Sequence, residues 1–236
     1  MIVALASQHT TSLNTFSIGY KDASFFDETE YAESVANKFN TNHTVFSLTQ
    51  DDLLANIGEI INDIDEPFAD SSAIPIHILS HETRKHVTIA LSGDGADEIF
   101  LGYNKHSAWL RSEEENFSSF ILSGLFPLAK ILPKSRSGKI SNKLRQIVKF
   151  GEGKKMNRAD RYWFWASISR QKEINDLLKN SNEGNASTNQ INYWLKNMTD
   201  YRDFNDFLRT DTSLVLPNDM LQKVDLMSMA NSLEVR

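Results

Sequence analysis

The residues with the most distinctive chemistry lie in one short stretch, Ser92 to Glu98, whose sequence is Ser-Gly-Asp-Gly-Ala-Asp-Glu. One hydroxyl, two glycines and three carboxylates follow directly on the apolar run Val87 to Leu91. Glycine lets the chain turn sharply and lets a ligand approach main-chain N–H groups closely. Clustered carboxylates are unfavourable beside a phosphate unless a cation is present, and Mg²⁺ prefers one or two carboxylates with phosphate oxygens and water. The stretch therefore predicts a Mg²⁺–phosphate site at the end of a strand.

The same spacing is compatible with a simpler turn between a strand and a helix. In that alternative, Asp94 or Asp97 accepts a hydrogen bond from the first turn of the next helix. The Gly-Lys-Ser or Gly-Lys-Thr ending of a Walker phosphate loop does not occur. The residues alone leave the two interpretations open.

The elements that must position this stretch alternate between strands and helices. Two β-rich runs, Asn14–Tyr20 and His43–Leu48, predict strands. Between these two strands, Asp27 with Glu30 resembles a capping box and predicts a helix that begins after Asp27. One face of that helix is apolar, with Tyr31, Val35 and Phe39.

A second helix is predicted after Thr49, which forms a cap with Asp52. Its buried stripe is predicted from apolar residues at helical spacing: Leu53, Leu54, Ile57, Ile60, Ile61 and Ile64.

A loop rich in turn residues follows at Asp65–Pro75. Its acidic residues are candidates for substrate contact or for turns and caps: Asp65, Glu66 and Asp70. The next helix is predicted from about Ser72 to Lys85. His77 and His81 lie one turn apart on it and are predicted on its surface, not at a metal site.

Strands that alternate with helices predict a parallel α/β sheet covered on both faces. Ligands of such sheets bind at the carboxyl ends of the strands, which is where Ser92 lies. Beyond Tyr103 the strand pattern ends, and helices are predicted, with a polar loop at 180–190 and an aromatic helix core at 162–165. The predicted division is an α/β nucleotide-binding core at 1–104 and a helical part of the same domain at 105–236.

Composition narrows the class of protein. The chain has 236 residues, a net charge of -6 and no cysteine. Negative charge argues against nucleic-acid binding, and the absence of cysteine excludes disulfides, thiolate metal sites and a cysteine nucleophile. No apolar run approaches the roughly 20 residues that span a membrane, and the N-terminus lacks the features of a signal peptide. A cytoplasmic protein is therefore expected.

Four segments, in order along the chain, resemble the synthetase domain of the glutamine-dependent asparagine synthetases. They are Asn14–Leu48, Asp65–Pro75, Leu91–Tyr103 and Lys223–Arg236. The resemblance implies the ATP-pyrophosphatase (adenine nucleotide alpha hydrolase-like) fold, in which a parallel α/β core is followed by helices. It also implies that ATP adenylates the side chain of aspartate, and that ammonia from a separate glutaminase domain displaces AMP to give asparagine.

The same resemblance assigns roles to individual residues. Ile18 matches the position whose main chain holds adenine, although it is also explained as a core strand residue. Ser92 and Gly93 match the pair that contacts the nucleotide. Asp97 matches a carboxylate that binds Mg²⁺ and pyrophosphate, and Asp94 matches an acidic position near the reaction intermediate.

Three further candidates have simpler alternatives. Tyr103 ends the motif as a candidate for nucleotide binding, and it is equally explained as a packed aromatic side chain. Glu234 and Arg236 match a segment that lines the acyl-adenylate pocket, so they are candidates for catalysis. A Glu-Val-Arg tripeptide is, by itself, typical of a surface ion pair.

The Ser-Gly-Gly-x-Asp-Ser loop that grips the ATP phosphates in this family does not occur in the sequence. We therefore expect an internal fragment of the synthetase domain that turns over little or nothing alone and lacks the glutaminase domain. An unpaired strand edge is expected to favour a homodimer. Two other functions stay open: amidation of another carboxylate, such as a surface-sugar uronic acid, and non-catalytic nucleotide binding.

Overall fold

The computed structural model describes residues 1–22, 27–65, 68–114, 139–169, 173, 176 and 184–236. The chain forms two compact units: the first is Met1–Asp94 with Asp219–Arg236, and the second is Gly95–Asn218. The chain therefore leaves the first unit after Asp94 and rejoins it at Asp219. The units do not divide at residue 104, because the last stretch of the chain packs within the first unit.

Four strands, twelve α-helices and one π-helix occur in the described residues. From the N-terminus they are α1 (Ile2–Ala6), β1 (Asn14–Tyr20), α2 (Thr29–Phe39), β2 (Asn42–Leu48), α3 (Gln50–Asp63), α4 (Ala73–Arg84), β3 (Ile89–Ala90), α5 (Ala96–Phe100) and α6 (Asn104–Glu113). They continue with α7 (Lys139–Gly153), α8 (Arg158–Ala166), α9 (Gly184–Trp194), α10 (Lys196–Thr199), α11 (Phe204–Thr210), the π-helix (Asp211–Leu221), α12 (Gln222–Ala230) and β4 (Glu234–Val235). None of the helices that the structure describes is long and apolar enough to cross a membrane.

The strands of the first unit pair in parallel, which confirms the predicted α/β class. β1 pairs with β2 along its whole length, from Asn14 opposite Asn42 to Tyr20 opposite Leu48. β3 pairs with β4. The two pairs are separate two-stranded sheets among the described residues, so the single covered sheet predicted from the sequence is not formed there.

β4 corrects the prediction that only helices follow Tyr103. The N–H of Glu234 donates to the carbonyl of Thr88, and the N–H of Arg236 donates to the carbonyl of Ala90, each at 3.0 Å. β4 has only two residues, too few to show a period-2 pattern. β3 is similarly shorter than the predicted run Val87–Leu91.

The predicted capping box at the start of α2 is wrong. The N-cap residue is Glu28, whose side chain forms no cap bond. Asp27 instead accepts a hydrogen bond from the N–H of Thr29, at 3.1 Å between Oδ1 and N. The buried residue of this helix is Ala36, whereas Tyr31 and Val35 are exposed.

The predicted cap of α3 is confirmed, but its buried stripe is mostly wrong. The Thr49 hydroxyl accepts the N–H of Asp52, and the Asp52 carboxylate accepts the N–H of Thr49. Ile60 is buried against Ala73 and Met227. The helix is covered on a narrow face only, so several predicted stripe residues are exposed: Leu54, Ile57 and Ile61.

α4 lies at the centre of the first unit, between α3 and α12. Its bounds confirm the predicted helix, with Ser72 and Lys85 as caps. His77 was predicted on the surface, but it is buried, because this face of α4 packs against α3, and its Nε2 lies 3.2 Å from Asp63 Oδ2.

The second unit has an aromatic core. The prediction that residues 162–165 form helix core is confirmed for Tyr162 and Trp165, which are buried with Trp109 and Phe207 in one cluster. The polar loop predicted at 180–190 is wrong from Gly184 onward, where α9 begins. Its first residues, 180–183, lie outside the described residues. A polar composition there gave no sign of the helix.

Candidate functional site

The loop after β3 carries Ser92, Gly93 and Asp94 and lies in the first unit. Ser92 is fixed at the end of the strand, because its N–H donates to the carbonyl of Arg236 at 2.8 Å. Within the described ranges, its hydroxyl makes one long hydrogen bond, accepted from the N–H of Asp94 at 3.5 Å. A Cβ placed on Gly93 would meet nothing within 4 Å. The hydroxyl and the Gly93 main chain are therefore open to an approaching ligand.

Two cavities of the first unit meet this loop. One, of about 480 Å³, is lined by Ser92 and Asp94 together with residues of α1, β1 and α4. The other, of about 400 Å³, is lined by Ser92, Asp225 and Arg236. The structure thus brings Ser92 together with two other predicted site residues, Asp94 and Arg236.

Ile18 lies on β1 and lines a different cavity, with residues of α2. The carbonyl of Leu13 accepts the N–H of Asn42, and the N–H of Lys21 donates to the carbonyl of Leu48. Because alternate residues of a parallel strand bond to the same neighbour, the N–H and C=O of Ile18 face away from β2. Among the described residues no strand pairs with this edge, which suits the main-chain contact with adenine implied for this position.

Glu234 and Arg236 form the ion pair that was the simpler alternative for this tripeptide. Arg236 Nε donates to Glu234 Oε1 at 2.7 Å, and the Arg236 side chain is 72% exposed. The pair lies on and beside β4, so pairing of β4 with β3 positions it near Ser92. It is a surface pair that a ligand can reach.

Asp97 lies in the first turn of α5, in the second unit. Gly95 precedes the helix with φ of 90°, a left-handed conformation that glycine adopts without steric cost. Within the described residues, no hydrogen bond or ion pair reaches the carboxylate of Asp94 or Asp97, so the helix-capping alternative is not observed. The Asp97 carboxylate is exposed and available.

Tyr103 is held by Glu98, whose contribution the sequence did not reveal. The Tyr103 hydroxyl donates to Glu98 Oε1 at 2.7 Å, and Glu98 is fully buried. Burial, and then the bond to Glu98 and its charge, raise the pKa of Tyr103 above the ordinary phenol value. Tyr103 is therefore a protonated, packed side chain, as its simpler alternative predicted.

A buried polar network around Asp211 also escaped sequence analysis. Asp211 lies 2.7 Å from Lys105 Nζ and 2.7 Å from His106 Nε2, and it accepts the Tyr162 hydroxyl. Burial raises the pKa of Asp211, but the bond from His106 and the charge of Lys105 outweigh it and leave the pKa below its ordinary value. Residues so distant in sequence share no local pattern.

The buried side chain of Lys223, on α12, bonds to the loop before α4. Lys223 Nζ donates to Asp70 Oδ2 and to the Ser72 hydroxyl, both at 2.8 Å. Asp70 is therefore a structural residue of this loop, and its neighbour Glu66 lies outside the described residues. No hydrogen bond to Asp65 occurs within the described residues, so its role stays open.

The residues present fit a Mg²⁺ ion that arrives with a phosphate ligand. No group of three or more His, Cys, Asp or Glu side chains that could hold a metal occurs in the described ranges. Mg²⁺ at nucleotide sites takes one or two protein carboxylates and completes its shell with phosphate oxygens and water. The exposed Asp97 carboxylate fits that limited role.

Comparison with known proteins settles the family. The asparagine synthase family model matches residues 1–236, the whole chain. The chain belongs to the asparagine synthase family. Its resemblance to that family, carried by four separate segments, is thereby confirmed over the full length.

The relatives of this family member are named asparagine synthetases. The chain is 30% identical over 236 residues to asparagine synthetase [glutamine-hydrolyzing] 1 of Bacillus subtilis, and it covers 36% of that protein. It is 28% identical to a putative asparagine synthetase of Mycobacterium bovis, of which it covers 35%. A putative asparagine synthetase of Methanocaldococcus jannaschii is 41% identical over 96 residues, 41% of this chain and 18% of the relative. The chain spans about a third of the length of the relatives that match it throughout.

Proposed function

We propose that the chain forms part of an ATP-dependent amidotransferase that converts aspartate into asparagine. An oxygen of the aspartate side chain attacks the α-phosphorus of ATP, which gives β-aspartyl-AMP and releases pyrophosphate. Ammonia, supplied from glutamine by a glutaminase domain, then attacks the acyl carbon, forms the amide and releases AMP. The proposed fold is the ATP-pyrophosphatase core, to which the parallel pairs β1–β2 and β3–β4 belong.

The open loop at Ser92 and Gly93 is the observation that carries this proposal. It follows a parallel strand at its carboxyl end, where ligands of α/β sheets bind. We assign the Ser92 hydroxyl and the Gly93 main chain to the nucleotide, and the free strand edge at Ile18 to adenine. Membership of the asparagine synthase family supports ATP as that nucleotide.

The remaining site residues have roles that follow from their chemistry. Asp97 would hold Mg²⁺, which supplies positive charge to the phosphates when it is bound. Asp94 and the Glu234–Arg236 pair are assigned to the side of the cavity where the acyl-adenylate lies. Tyr103 is assigned to nucleotide contact through its ring, because its hydroxyl proton is donated to Glu98.

Nucleotide binding is tested by titrating the chain with ATP, with and without Mg²⁺, in a calorimeter. We expect Mg²⁺ to strengthen ATP binding, and Asp97→Asn to weaken Mg²⁺-dependent binding by about tenfold or more, since a metal ligand is lost. The matched control is Asp200→Asn, which changes an exposed carboxylate of the same unit. Equal Mg²⁺ dependence in the wild-type and Asp97→Asn chains would contradict the assignment of Asp97.

The substrate is tested by supplying aspartate, ATP and ammonia to the chain, or to a longer protein that contains it. Release of asparagine and AMP in equal amounts supports the proposal. If a uronic acid is amidated in place of aspartate, the proposed substrate is wrong but the proposed class of reaction is retained. ATP binding by the longer protein without either product would indicate a non-catalytic nucleotide-binding module, whereas the chain alone is expected to turn over little or nothing.

A further inference from the structure

The carboxylate of Asp97 lies directly against the main chain of Gly102. A Cβ placed on Gly102 would fall 1.7 Å from Asp97 Oδ1 and 2.6 Å from Asp97 Cγ. A methyl carbon cannot lie so close to a non-bonded oxygen or carbon atom. The space that a side chain would take at position 102 is therefore occupied by the carboxylate that we assign to Mg²⁺.

The chain between Asp97 and Tyr103, here called the Asp97 turn, folds back on its first residue. The N–H of Gly102 donates to the carbonyl of Asp97 at 3.1 Å, and the N–H of Leu101 donates to the same carbonyl. Leu101 adopts a left-handed conformation, with φ of 65°. Both the main chain and the side chain of Asp97 are thus contacted by the end of the turn.

The far end of the Asp97 turn is anchored independently. Tyr103 follows Gly102 directly, and its hydroxyl bond to Glu98 ties it to the body of α5. Because Glu98 is fully buried, its side chain holds the Tyr103 hydroxyl in one position. Gly102 is therefore held against Asp97 from both sides.

We infer that Gly102 is a positioning residue, which directs the Asp97 carboxylate by leaving it the space of a side chain. The inference rests on the proposed function, in which Asp97 holds the Mg²⁺ that accompanies ATP. A methyl group at position 102 forces the short Asp97 side chain into another rotamer or opens the turn. The Mg²⁺ contact is lost in either case, while nucleotide contacts made without metal are kept.

The test measures ATP and pyrophosphate binding by Gly102→Ala, with and without Mg²⁺. We expect a loss of about tenfold or more in Mg²⁺-dependent affinity, as for other residues that orient metal ligands, and unchanged metal-free affinity. Gly58→Ala is the control, because an added Cβ there meets nothing within 4 Å. Loss of folded protein would lower the affinity measured with Mg²⁺ and the affinity measured without it by the same factor. The ratio of these two affinities therefore separates a positioning effect from unfolding.

A double-mutant cycle tests the contact itself. In the Asp97→Ala background the carboxylate is absent, so Gly102→Ala is expected to shift the urea midpoint far less than in the wild-type background. If Gly102→Ala alone does not fold, recovery of folding in Asp97→Ala/Gly102→Ala supports the inference, and continued failure overturns it.

Two outcomes keep this inference separate from the proposed function. A wild-type chain that binds ATP equally with and without Mg²⁺ contradicts the proposed function, and the double-mutant cycle then decides whether Gly102 directs Asp97. A Gly102→Ala chain that keeps the full Mg²⁺ dependence of the wild type overturns this inference alone.

Discussion

Leu101 ends α5 with a left-handed backbone, which costs a non-glycine residue about 1 to 2 kcal/mol. Because Leu101 is 43% exposed, removal of its side chain costs little packing. We expect Leu101→Gly to raise the free energy of unfolding by about 1 kcal/mol, since the freedom of glycine in the unfolded chain offsets part of the gain. Urea unfolding followed by circular dichroism measures the change.

Leu110 gives a matched control, because it is also 43% exposed but lies inside α6. Leu110→Gly is expected to lower the free energy of unfolding by about 1 kcal/mol, since glycine is a poor helix former. The opposite signs identify backbone conformation as the cause. Similar destabilisation by both substitutions would show that Leu101 is not strained.

The sequence identified candidate residues in the stretch Ser92 to Glu98, but it did not identify the contacts that hold those residues in place. Ser92, Gly93 and Asp97 were candidates because the segment around them resembles a family motif, whereas their spacing alone also fits a simple turn. Glu98 belongs to the same motif, yet its burial and its bond to Tyr103 depend on how α5 packs. The role inferred for Gly102 depends on a single interatomic distance, for which residue types give no signal.

Among the elements, α12 is fastened to the loop before α4 by Lys223. The Lys223 side chain is 7% exposed, and its partner Asp70 is 24% exposed. We expect Lys223→Met to lower the free energy of unfolding by about 2 kcal/mol, because Asp70 loses its cation while partly buried. Lys85→Met is the control, since Lys85 and Glu82 form an exposed pair whose loss costs about 0.5 kcal/mol or less.

The same ion pair predicts a dependence of stability on pH. Burial raises the pKa of Asp70, but the bonds from Lys223 and Ser72 outweigh it and leave the pKa below 3.8, the ordinary value. A carboxyl with a lowered folded-state pKa contributes stability above its unfolded value and loses it as the pH falls through the folded value. The stability difference between wild type and Lys223→Met should therefore shrink in acid. Urea unfolding from neutral pH downward measures it, and a constant difference would contradict the assignment.

Elements with local signals were predictable, and elements made by distant partners were not. The cap at Thr49 and the bounds of α4 depend on residues within a few positions of each other. β4 exists because Glu234 and Val235 lie beside β3, a partner far away in sequence. The buried face of α3 was overestimated for the same reason, since the width of its cover depends on neighbouring helices.

At the scale of the whole molecule, free strand edges predict self-association. In the described part of the chain, β1 and β3 each pair on one side only, and Ile89 of β3 is 54% exposed. We expect the chain to form dimers or larger species as its concentration rises, and Ile89→Lys to reduce them, because charge on a free edge opposes pairing. Sedimentation velocity over a concentration series measures this.

Ile140→Lys is the control for edge pairing. It adds the same charge at a site on α7 that is 77% exposed and belongs to no strand. It is expected to leave the association unchanged. A wild-type chain that remains monomeric at every concentration would contradict the prediction, and so would equal effects of the two substitutions.

The α/β class could be predicted from the alternation of strands and helices, but the compact units could not. The aromatic helix core around Tyr162 was visible because its rings are adjacent in the sequence. The sequence did not show that Asp219–Arg236 belongs to the first unit, since a helical pattern does not reveal which unit a helix joins.

The pairing of Ile89 with Glu234 has a consequence for biosynthesis. During translation, β3 leaves the ribosome long before β4, and all of Gly95–Asn218 is made in the interval. Because domains fold as they emerge and unpaired strands are prone to aggregate, β3 stays without this partner in the nascent chain until Glu234 and Val235 have been made. The order of synthesis thus delays the bond from the N–H of Ser92 to the carbonyl of Arg236, which fixes the loop after β3, until Gly95–Asn218 has been made.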